Sequence, residues 1–133
     1  MSAADKEGAF AFTRAYFSEL NDVAATGNVQ QALPFHKSTC SGCAELEAQI
    51  SAPYRSGGKV LGAQLNVQQL RLGESGPSFA KVTAYADASS STIVASDGQR
   101  QMLPGGRGDL YLLLVREGDH WIIDSLNNAL AKS

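Results

Sequence analysis

The sequence predicts an α+β fold, with helices first and a meandering antiparallel sheet after them, and three observations carry that reading. Apolar residues recur at three- and four-residue steps from Glu7 to about Ala25. Beyond about Lys59 the apolar period drops to two. Turn signals, among them Gly57-Gly58, Asp97-Gly98 and Glu117-Gly118-Asp119, punctuate the segments. Runs of helix followed by runs of strand place helices on one face of an antiparallel sheet. A chain of 133 residues with 44% hydrophobic and 18% charged residues is read as a single soluble domain over 1–133.

The opening MSAADKEG reads as a polar lead-in, flexible over residues 1–6. The first helix carries Ala9, Phe12, Tyr16, Leu20 and Val23 as its apolar stripe, widened by Phe10, Phe17 and Ala24. Arg14, Ser18 and Asn21 form the solvated side, and Gly27 is suited to a left-handed C-cap. A short second helix is expected through VQQALPF, ending before Pro34. The stretch AELEAQISAPYRSGG reads as a third helix, with Leu46 and Ile50 four apart and Pro53 expected to kink or shorten it.

In the second half Ala63, Leu65 and Val67 alternate, then the apolar phase moves to Leu70 and Leu72, which predicts a bulge near Gln68-Gln69. Further alternation follows in SFAKVTAYADAS, and STIVASDGQRQML carries the two-residue hairpin signal Asp97-Gly98. DLYLLLVREGDHWIIDSL reads as two strands joined at Glu117-Gly118-Asp119, for a sheet of about four strands in all. Leu110, Leu112 and Leu114 share one face of the first; Tyr111, Leu113 and Val115 share the other. Trp121 and Ile123 share a face of the last strand, with Ile122 and Leu126 opposite. A sheet apolar on both faces must cover both, so a second subunit, in a homodimer, is the candidate for the face the helices leave.

A net charge of −2 with singly scattered basic residues argues against nucleic acid, because phosphate binding needs clustered Lys and Arg. LYLLLV, the longest aliphatic and aromatic run, is far short of the ~20 residues of a transmembrane helix. No signal peptide or lipidation box is evident. LPGGRGDL has no helix after it and is no phosphate cradle. Its Arg107-Gly108-Asp109, the tripeptide of some adhesion ligands, reads as part of a flexible turn where the chain bends into the apolar strand.

Both cysteines, Cys40 and Cys43, lie in STCSGC, and a C-x-x-C pair has three readings. As a redox centre, Cys43 would sit in the first turn of the third helix, capped by Ser41 or Gly42, where the helix dipole lowers a thiol pKa. LPFHKST, however, is not the buried strand that precedes such a motif. As a metal site the pair needs further ligands, and the chain has only His36 and His120. His36 could join as H-x₃-C-x₂-C; the plainer expectation is a solvent-exposed His36. As a staple, a loop of about four residues would contribute about 2 kcal/mol and would persist only in an oxidising compartment.

The first 60 or so residues resemble a family. Glu7-Gly8-Ala9, Phe12, Tyr16-Phe17, Leu20-Asn21, Thr26-Gly27, Cys40, Cys43, Tyr54 and Gly57-Gly58 are similar in joint spacing to uncharacterised actinobacterial lipoproteins. The C-terminal half matches them loosely, through GDHWIIDSL. The resemblance implies a nuclear-transport-factor-2-like (cystatin-like) cone of three helices against a curved antiparallel sheet. It further implies a disulfide between Cys40 and Cys43, secretion, and a lipid anchor upstream of these residues. It implies no activity; for want of further ligands the sequence leads to no expected metal, and no cofactor is expected.

The expected role is therefore an extracytoplasmic, non-catalytic domain that binds a ligand or a partner. The alternative is a small-molecule enzyme, because isomerases and dehydratases of this fold use an Asp or His with Tyr hydroxyls in an apolar cone pocket. The candidates are Tyr16, Tyr54, Tyr85, Asp87, Tyr111 and Asp124, with Tyr16 and Asp124 foremost. Asp87 and Asp124 are expected near strand ends, in solvent.

Overall fold

The first helix is built from its cap inward. In the computed structural model, which describes residues 2–128, Ser2 is the N-cap of α1 (Ala3–Thr26). Its hydroxyl accepts from the Asp5 amide at 3.1 Å while the Asp5 carboxylate accepts from the Ser2 amide, a capping box. The helix thus begins inside the segment expected to be a flexible lead-in, because this box satisfies the end groups that a bare start would leave open. Arg116 fastens the same turn: its guanidinium pairs with Asp5 and stacks over Trp121 at 4.5 Å.

The buried stripe of α1 is Ala9, Thr13, Tyr16, Phe17, Leu20, Val23 and Ala24. Gly27 ends the helix in the left-handed region, φ 78°, its amide bonded to the Val23 carbonyl at 2.7 Å. The Tyr54 side chain presses on Gly27 where a Cβ would stand, and its hydroxyl donates to the Ala24 carbonyl at 2.6 Å.

Two α-helices form among the described residues, where the sequence predicted three. The expected second helix is a single 3-10 turn, Leu33–Phe35, with Pro34 inside it rather than after it. Proline is tolerated there because an N-terminal position needs no backbone donor. α2 spans Ser41–Arg55. Its cap is Cys40, not Ser41 or Gly42, with the Cys40 sulfur accepting from the Cys43 amide at 3.3 Å. Pro53 falls in the last turn and does not shorten the helix further.

Seven strands, where about four were expected, make two antiparallel sheets among the described residues. β2 (Leu65–Ser75), β3 (Phe79–Ala88), β6 (Gly106–Glu117) and β7 (His120–Asn128) form the larger, in the order β2-β3-β6-β7. β1 (Lys59–Leu61), β4 (Ser91–Val94) and β5 (Arg100–Leu103) form the smaller, in the order β1-β4-β5. The β4–β5 hairpin turns through Asp97-Gly98, and the β2–β3 register shifts between Val67 and Gln69 where the bulge was expected. Arg107-Gly108-Asp109 is no flexible turn: it lies in β6, paired with Tyr85, Ala86 and Asp87 of β3.

Ala80, Val82, Ala84 and Ala86 of β3 and Leu110, Leu112 and Leu114 of β6 face the helices and are buried. The small alanines let α1 lie close over β2 and β3, while α2 packs on β7 and α1. The expectation for Leu126 is corrected: it is buried with Trp121 and Ile123 instead of facing away. The register jumps from Leu114↔Ile123 to Leu113↔Ser125, so Asp124 is an extra residue that reverses the phase of β7. The far face of β6 is not covered within the described chain; Tyr111 is 48% exposed, with Leu113 and Val115 half-buried.

Candidate functional site

Two places in the fold could do chemistry or bind: a buried polar cluster and a cavity. The cluster starts with the 3-10 turn, which presents Phe35 and His36 to α1. Phe35 packs on Phe12 (5.4 Å between ring centroids) and on Tyr16 (5.8 Å). His36 makes a parallel bridge to Ile123, and the Lys37 amide bonds the Ile123 carbonyl at 2.9 Å, so the loop is moored to β7.

Inside this corner Glu47 of α2 meets both Tyr16 and His36. The Tyr16 hydroxyl donates to Glu47 Oε2 at 2.7 Å. His36 Nε2 lies 2.9 Å from Glu47 Oε2 and 3.1 Å from Oε1. Exposure is 0% for Tyr16, 3% for Glu47 and 8% for His36, so His36 is not the solvent-exposed side chain expected of it.

The hydrogen-bond geometry fixes a proton count. His36 Nδ1 is 2.8 Å from the Lys37 carbonyl, which only accepts, so Nδ1 carries hydrogen. Nε2 faces a carboxyl group, and that contact needs one further proton, held on either the imidazole or the acid. Burial, then the hydrogen bond and charge of Glu47, push the Tyr16 hydroxyl far above the ordinary tyrosine value of 10. The phenol is thus held in its neutral form, with its proton engaged by Glu47.

The cysteines lie just outside this cluster. Cys40 and Cys43 are disulfide-bonded, with Cα atoms 5.4 Å apart, and are 1% and 0% exposed. Gly42 between them abuts the Leu126 carbonyl so closely that a Cβ would collide with it. His36 turns to Glu47 rather than to the cysteines, and no group of three His, Cys, Asp or Glu suited to a metal occurs among the described residues.

The remaining catalytic candidates do not gather around Tyr16. Asp124 sits in the β7 bulge, half-exposed and away from a strand end, and pairs with Lys37 Nζ at 2.9 Å. That pairing raises the Lys37 pKa, chiefly through the hydrogen bond. Tyr54 clamps the end of α1. Tyr111 donates to Asp109 at 3.3 Å, and Asp87 stands 3.9 Å from Arg107. Tyr85 is half-buried on β3, opposite Asp109.

The cavity, about 330 Å³, opens between the two helices and the smaller sheet. Leu20 and Ala24 of α1, Leu46, Ile50 and Pro53 of α2, and Val60, Leu65, Ile93 and Leu103 from the strands supply its apolar wall. Its polar lining is Asn21, Gln49, Gln64, Ser89 and Ser91, with no acid, base, tyrosine or cysteine. None of the catalytic candidates lines it.

Sequence reasoning missed Glu47 and the inward turn of His36. The available signal was Glu47 lying four residues from Cys43 and next to Leu46, an acid on the apolar stripe of α2.

No protein-family model matches the chain, and no curated protein is similar to it in sequence. Solved structures do match. A protein with a cystatin-like fold from Caulobacter vibrioides is 14% identical, with TM-score 0.59 over 96% of this chain and 92% of that one. The chain has a cystatin-like, nuclear-transport-factor-2-like fold. A cystatin-like protein of unknown function from Nostoc punctiforme is 13% identical, with TM-score 0.58, covering 100% and 98%. Aln2 from a Streptomyces species is 14% identical, with TM-score 0.57, covering 95% and 90%. At such identities the cystatin-like likeness is one of fold alone, and the site must speak for function.

Proposed function

We propose that this is an extracytoplasmic, non-catalytic binding domain that takes a small molecule into the cavity between its helices and the smaller sheet. The observation that carries the reading is the separation of cavity and titratable groups. The cavity lining has no acid or base, while Tyr16, Glu47 and His36 spend their polar atoms on one another and on the Lys37 carbonyl. An isomerase or dehydratase needs an acid or base within reach of bound substrate, and Tyr16 and Asp124, the pair foremost for that role, are engaged elsewhere. The cavity volume falls within the range of small-molecule sites.

The disulfide supports an oxidising compartment. Among the described residues no helix is long and apolar enough to cross a membrane. Tethering by an upstream lipid anchor, as in the actinobacterial lipoproteins that the N-terminal half resembles, completes the proposal. Fractionation of the native host should find the protein in the cell envelope; recovery in the cytosol would overturn that part. A second copy on the outer face of β6 and β7 is the partner proposed for Tyr111, Leu113, Val115 and Ile122. Sedimentation showing only monomer at low micromolar concentration would remove it.

Binding itself is tested with the neutral fluorophore N-phenyl-1-naphthylamine. Its fluorescence should rise saturably with the wild-type protein and fail to rise with Ile50→Trp, which fills the cavity. Equal responses from both proteins would overturn the reading.

A further inference from the structure

We infer that the cavity selects an uncharged, mainly apolar molecule with one hydrogen-bonding head, of the long-chain alcohol, amide or ester class, and rejects fatty acids and amines. This rests on the binding reading above. The first argument is charge. No Lys, Arg, His, Asp or Glu lines the cavity, so an ionic ligand would lose its hydration without meeting a counter-ion.

The second argument is an inventory of the polar groups. Asn21 is already committed: its Oδ1 accepts from the Leu65 amide at 2.7 Å and its Nδ2 donates to the Leu65 carbonyl at 3.0 Å. Ser89 donates to the Gly62 carbonyl at 2.6 Å. Gln49 and Gln64 line the cavity as exposed residues and Ser91 as a half-buried one, and these are its polar side chains left to meet a ligand. A carboxamide both donates and accepts, so these groups suit a hydroxyl or amide that does the same, or an ester that only accepts. Everything else in the wall offers dispersion and apolar burial to a hydrocarbon tail, Leu20 and Ile50 from the helices and Ile93 and Leu103 from the smaller sheet.

The test titrates ¹⁵N-labelled protein with 1-decanol, decanoate and decylamine at pH 7, following the amides of Leu20, Leu46, Ile50 and Leu65. Decanol should shift them saturably and bind at least about ten-fold tighter than either ion, a preference of ~1.4 kcal/mol. The double variant Gln49→Leu/Gln64→Leu should weaken decanol several-fold with the spectrum otherwise retained. Decanoate or decylamine binding as tightly as decanol at these amides would overturn the ligand class and leave the cavity reading standing. No shift with any of the three would overturn both. Concentration-dependent shifts at these amides without ligand would make a second copy of the chain the occupant, and would also overturn the inference.

Discussion

Glu47 Oε2 receives the Tyr16 hydroxyl at 2.7 Å and lies 2.9 Å from His36 Nε2, so one buried carboxyl group ties both helices and the intervening 3-10 turn together. Removing one partner of such a cluster strands the others, and that cost exceeds what the intact cluster contributes. Glu47→Ala should therefore destabilise the fold by about 3–5 kcal/mol in urea unfolding. Tyr16→Phe should cost about 1–3 kcal/mol, since it deletes one hydrogen bond to a buried carboxyl group and leaves the ring packed. A Glu47→Ala loss below that for Tyr16→Phe would contradict the central place of the carboxyl.

The raised Tyr16 pKa makes stability fall at high pH. The folded state favours the neutral phenol, so this contribution is fully present below the unfolded value of 10 and declines above it. Each further unit of pH should cost up to ~1.4 kcal/mol. In a spectrophotometric titration, part of the tyrosinate absorbance should emerge only with unfolding, and that part should be missing from Tyr16→Phe.

Asp5 has the opposite sign. Its hydrogen bonds from Ser2, and then Arg116, lower its pKa below 3.8, so its contribution is present above that value and is lost as pH falls through the folded value. In acid unfolding followed by circular dichroism, Asp5→Asn should flatten the stability change between pH 5 and 3. An unchanged profile would contradict the link.

Gly42 stands where the disulfide turn meets the Leu126 carbonyl, and a methyl group has no room there. Gly42→Ala should destabilise by about 1–3 kcal/mol, as overpacking does. Exposed Gly98→Ala is a poor control because φ is 88° there; Ala11→Ser, on the solvated side of α1, should lie within ±0.5 kcal/mol.

The disulfide should behave as an inert staple. With both sulfurs buried, thiol reagents should find no reactive cysteine in the native protein. Cys40→Ser/Cys43→Ser should lose about 2 kcal/mol and keep the cavity's response to N-phenyl-1-naphthylamine. Loss of that response with the fold retained would assign the bridge a part in binding.

The local signals in the sequence were strong wherever one residue suffices to enforce a geometry. Gly27 set the end of α1, Asp97-Gly98 set the β4–β5 turn, and the change of phase after Val67 set the β2 bulge. Period alone gave helices ahead of strands and put Leu110, Leu112 and Leu114 on one face. The same periodicity misplaced Leu126, because a single extra residue at Asp124 reverses a two-residue alternation and leaves no mark of its own in composition. It also overstated VQQALPF, whose seven residues are too few to propagate a helix without a packed face.

Site residues were less legible for a related reason. Tyr16 is recognisable as a candidate, but whether its hydroxyl meets substrate or a buried acid depends on Glu47, thirty-one residues away, and His36 between them. The sequence by itself determined the layer order, the Gly27 C-cap and the oxidisable cysteine pair, since each follows from contacts along a few residues of chain. Tertiary structure alone decided that the ionisable groups close on one another and that the cavity is left to carboxamides, serines and hydrocarbon. Burial makes an unpaired charge costly, so packing assigns each ionisable group a partner, and only the assembled fold brings those partners together.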